Sequence, residues 1–204
     1  QEIYKKIDKV ALSNTERVLS AFNEYRVSEQ MFNGTTGYGY GDLGRDTLDK
    51  IFAQVFGGQD GLARGSFLNG THAITCMLFG VMRPGKTLLS VTGAPYETVA
   101  AAIGIGKETI GTLKEYGIHY KQVDLKDGRI DIEKVVSELQ KDNTISTVFV
   151  QRSRGYELRP AISCEQIEKL RNAVGKDVII AVDNCYGEFV EEREPCHAGA
   201  DIIA

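Results

Sequence analysis

The chain has 204 residues, 42% hydrophobic and 25% charged, which is an ordinary globular composition with room for one large α/β core. Its formal net charge of −4 excludes a dominant basic face, and with it a nucleic-acid or anionic-membrane partner. No apolar run reaches the roughly 18 residues needed to span a bilayer.

Residues 2–26 carry Ile3, Ile7, Val10, Leu12, Val18, Leu19 and Phe22 at helical spacing, so the chain opens with a charged amphipathic helix rather than a signal peptide. Residues 33–44 hold five glycines, a run that suits neither a helix nor a regular strand and reads as a loop. Helix returns over 45–56 on the stripe Leu48, Ile51, Phe52, Val55, Phe56. Strands are then predicted at 63–68, 87–92, 118–123, 145–151 and 177–183. Helices are predicted between them at 71–82, 96–103, 131–141 and 163–174. Continuous apolar runs such as Val178–Val182 are those of strands covered on both faces. The expected fold is α/β, a mostly parallel sheet with helices on both faces, with residues 1–44 as arm and loop and 45–204 as the main domain. The apolar end Asp201–Ala204 reads as a strand cut short, so the chain is expected to be truncated.

Cys76, Cys164, Cys185 and Cys196 show no metal-ligand spacing, and they read as free thiols of a reducing cytoplasm. No metal site is predicted; His72 and His119 read as helix-start and strand residues.

Gly80-Val-Met-Arg-Pro-Gly-Lys-Thr87 matches the P-loop pattern. A P-loop must follow a strand and open a helix, whereas here a helix precedes and a strand follows, so Pro84-Gly85 reads as a helix-ending turn. A better anion site is Asn69-Gly-Thr-His-Ala73 at a helix start, where Gly70 admits close backbone approach and Thr71 offers a hydroxyl. A plain N-cap by Asn69 or Thr71 explains the same residues. Asp183 stands at the carboxyl end of a buried strand, where α/β sheets place ligands and where a carboxylate wants a cationic partner; a turn-capping role is the other reading. Tyr96 follows a strand and opens a helix, so its ring could cover a planar ligand or simply pack. Gln151-Arg-Ser-Arg-Gly155 puts two arginines at a strand end, suited to carboxylate or phosphate recognition, or to solvent.

Taken in order, Tyr38–Asp46, Asn69–Ile74, Leu89–Tyr96, Gln151–Tyr156, Val182–Phe189 and Gly199–Ala204 resemble fold-type I pyridoxal-phosphate enzymes. More closely, the chain resembles the methionine gamma-lyase-like or aluminium resistance proteins. The resemblance implies a large domain of the PLP-dependent transferase type that binds pyridoxal 5'-phosphate. Gly70, Thr71 and His72 would hold the phosphate, Tyr96 would stack on the ring, and Cys185 would lie against the opposite face. Asp183 would pair with the ring nitrogen, and Tyr186 or a polar residue of 151–154, with Ser153 and Arg154 as cofactor-binding candidates, would bond the phenolic oxygen. Tyr38, Tyr40 and Arg45 would reach a neighbouring subunit's site in a homo-oligomer. Where relatives often have serine, this chain has Asn69. No lysine follows Asp183, so the Schiff-base lysine is expected beyond Ala204. The implied reaction is carbon–sulfur cleavage of a sulfur-containing amino acid. An aminotransferase, a P-loop nucleotide hydrolase and a non-catalytic dimerisation fragment are the alternatives.

Overall fold

A computed structural model describes residues 1–35, 40–106 and 110–204. Helix α1 (Glu2–Glu24) leads through a short 3-10 turn (Glu29–Phe32) to α2 (Leu43–Phe56) and α3 (Gly70–Val81). Alternation then sets in: β1 (Thr87–Ser90), α4 (Glu97–Ile103), β2 (His119–Gln122), α5 (Ile132–Lys141), β3 (Ile145–Gln151), α6 (Cys164–Val174), β4 (Ile179–Asp183), and, past a second 3-10 turn at Pro195–Ala198, β5 (Ile202–Ile203). The five strands form one parallel sheet in the order β2-β1-β3-β4-β5.

The sheet is buried on both faces, and alternate residues of each strand serve opposite cores. Leu89, Val148, Val150, Ile180 and Val182 pack against Val135 of α5 and Ile167 and Leu170 of α6. Their neighbours Leu88, Phe149 and Ala181 face the other way, against Ile74, Met77 and Leu78 of α3 and Val99 and Ile103 of α4. A third, small cluster of Ala21, Ile51 and Val55 joins α1 to α2.

Helix starts follow local chemistry. Side chains of Asp42, Asn69, Asp131 and Ser163 each accept the N–H three residues on, satisfying one of the orphan donors of the first turn. At Asn69 the cap is therefore made by the asparagine, not by Thr71.

The strand predicted at 63–68 does not form. Asp49 captures this segment instead, accepting the Ala63 N–H at 2.7 Å and the Arg64 guanidinium at 2.6 Å. Phe67 then turns back on Arg64, with its ring edge-on to His72 at 5.7 Å. With no neighbouring strand to pair with, a short apolar run takes whichever side-chain acceptor is near.

Helix α3 ends at Val81 and β1 starts at Thr87, with the intervening Gly85 at φ +78° donating to the Gly117 carbonyl at 2.7 Å. The Gly80–Thr87 motif thus joins the end of a helix to the start of a strand, the reverse of a phosphate-binding P-loop. Among the described residues no helix is long and apolar enough to cross a membrane, and no group of three His, Cys, Asp or Glu side chains could hold a metal ion. All four cysteines are free.

Candidate functional site at the carboxyl edge of the sheet

Parallel strands end on one edge, and the polar residues that close them gather there. Gln151, the last residue of β3, is in register with Asp183, the last of β4. Gln151 Oε1 accepts the backbone N–H of Tyr96 at 2.6 Å, which ties the start of α4 to the same edge. On the other side of Asp183 lies the first residue of α3: a Cβ added to Gly70 would stand 3.1 Å from the Cys185 sulfur. Cys185 in turn donates its N–H to Asp183 Oδ1 at 3.1 Å. Gly70, Cys185, Asp183, Gln151 and Tyr96 thus form one continuous chain of contacts.

Asp183 is 4% exposed, and no ion pair reaches it among the described residues. Burial raises its pKa above the ordinary carboxylate value, an effect only partly offset by hydrogen bonds from the Cys185 side chain and backbone. The Cys185 thiol is pushed up to about 12 by its own burial and by the adjacent carboxylate, so it stays protonated. A nearly dry carboxylate with no ion pair among the described residues, separated from a helix N-terminus by Cys185, suits a small cation that also carries an anion.

The anion end is built by α3. Its first intrahelical bond runs from Ala73 N–H to the Asn69 carbonyl, and Asn69 Oδ1 takes the His72 N–H at 2.9 Å, which leaves the N–H groups of Gly70 and Thr71 ahead of the ladder. Thr71 Oγ1 is 2.7 Å from Thr98 Oγ1, a hydroxyl pair linking the starts of α3 and α4. His72 Nδ1 accepts the Leu68 N–H at 3.2 Å, so that nitrogen braces the loop before the helix.

Tyr96, 39% exposed, lies with its ring centroid 6.0 Å from that of Tyr156. The Tyr156 hydroxyl, hydrogen-bonded to it, holds the Tyr96 phenol above its usual range. Tyr186 is 89% exposed, with φ +65°. Ser153 sits beside Gln151, its carbonyl accepting Gln151 Nε2 at 3.4 Å and Arg159 Nη2 at 2.7 Å; Arg154 is exposed. Tyr40 is 91% exposed, and Arg45, in the first turn of α2, takes its backbone N–H to Asp42 and its guanidinium to Asp46 at 3.4 Å. Tyr38 lies outside the described residues.

One arginine departs from expectation. Arg152 points into the protein at 1% exposure, donating to the Ile162 carbonyl at 3.0 Å, Asn184 Oδ1 at 2.8 Å and the Gly187 carbonyl at 2.7 Å, and pairing with Glu191. It is not a surface recognition group, because a guanidinium whose donors are consumed inside has none to offer a ligand. Gln151, one of the polar residues 151–154 offered by the sequence, braces the start of α4 here. Sequence reasoning passed over Thr98, and nothing in the sequence marks it.

A parallel α/β sheet that brings a buried acid and a helix start to its carboxyl edge has the architecture in which α/β folds place ligands, and comparison with known proteins narrows the family. The family model for methionine gamma-lyase matches residues 1–204, and the chain belongs to that family. Bacillus subtilis YnbB, an uncharacterized protein, is 46% identical over 207 residues, which cover 99% of this chain and 49% of YnbB. A crystal structure of a Clostridium novyi protein described as a carbon-sulfur lyase involved in aluminum resistance superposes with TM-score 0.95 at 47% identity, covering 100% of this chain and 49% of that one. The fold extends further, to the pyridoxal-5'-phosphate dependent protein YhfS of Escherichia coli, at TM-score 0.71 and 21% identity over 97% of this chain and 50% of that one. The chain spans about half the length of the relatives it matches.

If Tyr96 covers a planar ligand, Tyr96→Ala in the complete protein raises the dissociation constant for that ligand by about tenfold, as expected for loss of one aromatic stacking contact. Fluorescence titration measures this, and wild-type retention would remove the stacking role.

Proposed function

We propose that the complete protein is a pyridoxal-phosphate-dependent carbon–sulfur lyase acting on a sulfur-containing amino acid. The observation that carries this reading is the buried Asp183 carboxylate, without an ion pair among the described residues, beside Cys185, which itself lies against Gly70 at the start of α3. These residues fit the cofactor: a protonated ring nitrogen supplies the charge Asp183 lacks, and a phosphate suits the leading N–H groups of α3.

Bound there, pyridoxal phosphate supplies an electron sink for charge developing at the substrate α-carbon. Asp183 holds a proton on the ring nitrogen. The Gly70 and Thr71 N–H groups, with the Thr71 hydroxyl, bind the phosphate, and His72 contributes by fixing the loop that precedes them. Tyr96 and Cys185 would flank the ring, while Tyr186, Ser153 and Arg154 would be the candidates for its phenolic oxygen. The lysine that holds the cofactor lies outside this chain in this reading. Elimination rather than transamination is supported by the family match and by the description of the Clostridium novyi relative.

The test is direct. The complete protein, purified without added cofactor, absorbs in the visible region, loses that band on borohydride treatment, and releases a thiol from cystathionine or methionine. A colourless protein that takes up no pyridoxal phosphate overturns the proposal. Release of no thiol by a yellow protein that instead exchanges amino groups with a keto acid makes it an aminotransferase.

The reading includes a cytoplasmic homo-oligomer in which Tyr38, Tyr40 and Arg45 serve a neighbouring subunit; the four free cysteines support the reducing compartment. Mixing Arg45→Ala subunits with Asp183→Ala subunits then restores up to about a quarter of wild-type activity, the share of sites that statistical mixing leaves with both groups intact. Two inactive parents whose mixture stays inactive show that Arg45 works within its own subunit.

A further inference from the structure

Immediately after Asp183 the chain makes a turn that its own sequence does not favour. Tyr186 and Phe189 hold φ of +65° and +60°, the left-handed region that side chains resist. Gly187 between them has no room for a side chain: a Cβ there would stand 2.6 Å from Asn184 Oδ1 and 2.7 Å from Arg152 Nη1. The turn closes on its own Gly187 N–H to Asn184 carbonyl bond at 2.7 Å, and the guanidinium beneath it braces both ends. Arg152 Nη1 donates to both Asn184 Oδ1, at 2.8 Å, and the Gly187 carbonyl, at 2.7 Å, so it clasps the first and fourth residues of Asn184–Gly187. Its Nε is fixed by the Ile162 carbonyl at 3.0 Å, and its remaining arm pairs with Glu191. Glu194, fully buried, lies 3.8 Å from Nη1 and accepts Asn184 Nδ2 at 3.2 Å, closing the ring of contacts from the other side.

The residues caught inside that clasp are Cys185 and Tyr186. Cys185 is the residue that touches both Gly70 and Asp183. We infer that Arg152 is a positioning residue of the cofactor site, holding the Asn184–Gly187 turn so that Cys185 lies between the start of α3 and Asp183. The inference rests on the cofactor reading given above. Lysine cannot substitute, because one ammonium cannot span acceptors that a planar fork reaches in two directions.

Arg152→Lys and Gly187→Ala disturb the clasp from its two sides, and Leu170→Ala, in the core under α6, serves as a control for general destabilisation. Each is made in the complete protein, and its pyridoxal phosphate dissociation constant and the visible circular dichroism of the bound cofactor are measured. The expected result is a rise of about 10-fold or more in the dissociation constant for both clasp variants, the consequence of losing charge-assisted hydrogen bonds, together with an altered dichroic band. Leu170→Ala keeps wild-type affinity and band shape despite a lower melting temperature. If either clasp variant fails to fold, the other decides. Wild-type affinity and dichroism in the clasp variants overturn the inference while leaving the cofactor reading intact, as does an equal loss in Leu170→Ala. A wild-type protein that binds no pyridoxal phosphate removes both.

Discussion

Asp183→Asn lowers the turnover of the complete protein by on the order of 10²–10³-fold and leaves it folded, the scale of loss seen when one preorganised electrostatic group is removed from a reacting centre. Asparagine keeps an acceptor for the Cys185 N–H but cannot hold a proton on a ring nitrogen by charge. The same substitution has an opposite effect on the cofactor-free protein. Burial raises the Asp183 pKa in the fold, so the stability tied to its protonated form is fully present below the unfolded value of 3.8 and is lost as pH rises through the folded value. At pH 7, above the unfolded value, the cofactor-free wild type has therefore given up stability that the uncharged asparagine variant keeps. Cofactor-free Asp183→Asn should melt higher than wild type at pH 7, and the difference should close as pH falls below 3.8. Calorimetry at the two pH values checks this. Equal melting temperatures at neutral pH would mean that the carboxylate is already compensated, and full turnover in the variant would remove its electronic role. A site that is less stable empty than it could be has its reserve kept for a ligand.

The largest stability effect is expected at Glu194→Ala, about 3–5 kcal/mol, the usual result of breaking a buried ion pair from one side. Glu194 is fully buried, accepts the Phe189 N–H at 2.7 Å and Asn184 Nδ2 at 3.2 Å, and lies 3.8 Å from Arg152 and 4.0 Å from Arg17. Alanine leaves two donors without an acceptor and a buried guanidinium with Glu191 as its remaining carboxylate. Urea denaturation measures the loss. By contrast Glu165→Ala, which opens the exposed pair with Lys169, should leave the midpoint unchanged. A Glu194 variant as stable as wild type would show that the network specifies geometry without contributing stability.

Much of the sheet was legible in the sequence because a strand covered on both faces has to be apolar throughout. Val148–Val150 and Val178–Val182 announce themselves that way, and the caps at Asn69 and Ser163 mark where helices begin. The failure at 63–68 has the complementary cause: its fate was decided by Asp49, fourteen residues earlier for Ala63, and no local pattern carries that information. Strand order is likewise a tertiary property.

At the site, Gly70 and Asp183 were readable as partners because helix starts and strand ends converge on one edge of a parallel sheet. In the structure Cys185 lies against Gly70 and donates its N–H to Asp183. Arg152 was not readable. Arginines two residues apart after a strand look alike in sequence, yet Arg152 is buried and Arg154 exposed. Only the carboxylates of Glu191 and Glu194, some forty residues on, distinguish them.

Helix α1 is fastened to the segment that follows the Asn184–Gly187 turn. Asn14 Nδ2 donates to the carbonyls of Phe189 and Glu191 at 2.9 and 3.0 Å, and Arg17 Nη1 to that of Glu192 at 2.6 Å. Peeling back the first helix removes these donors from the stretch that holds Glu191, and with it a brace of Arg152. Opening at the amino terminus and loosening beside Asp183 are then a single cooperative event, and amide exchange in the two segments should proceed at a common rate.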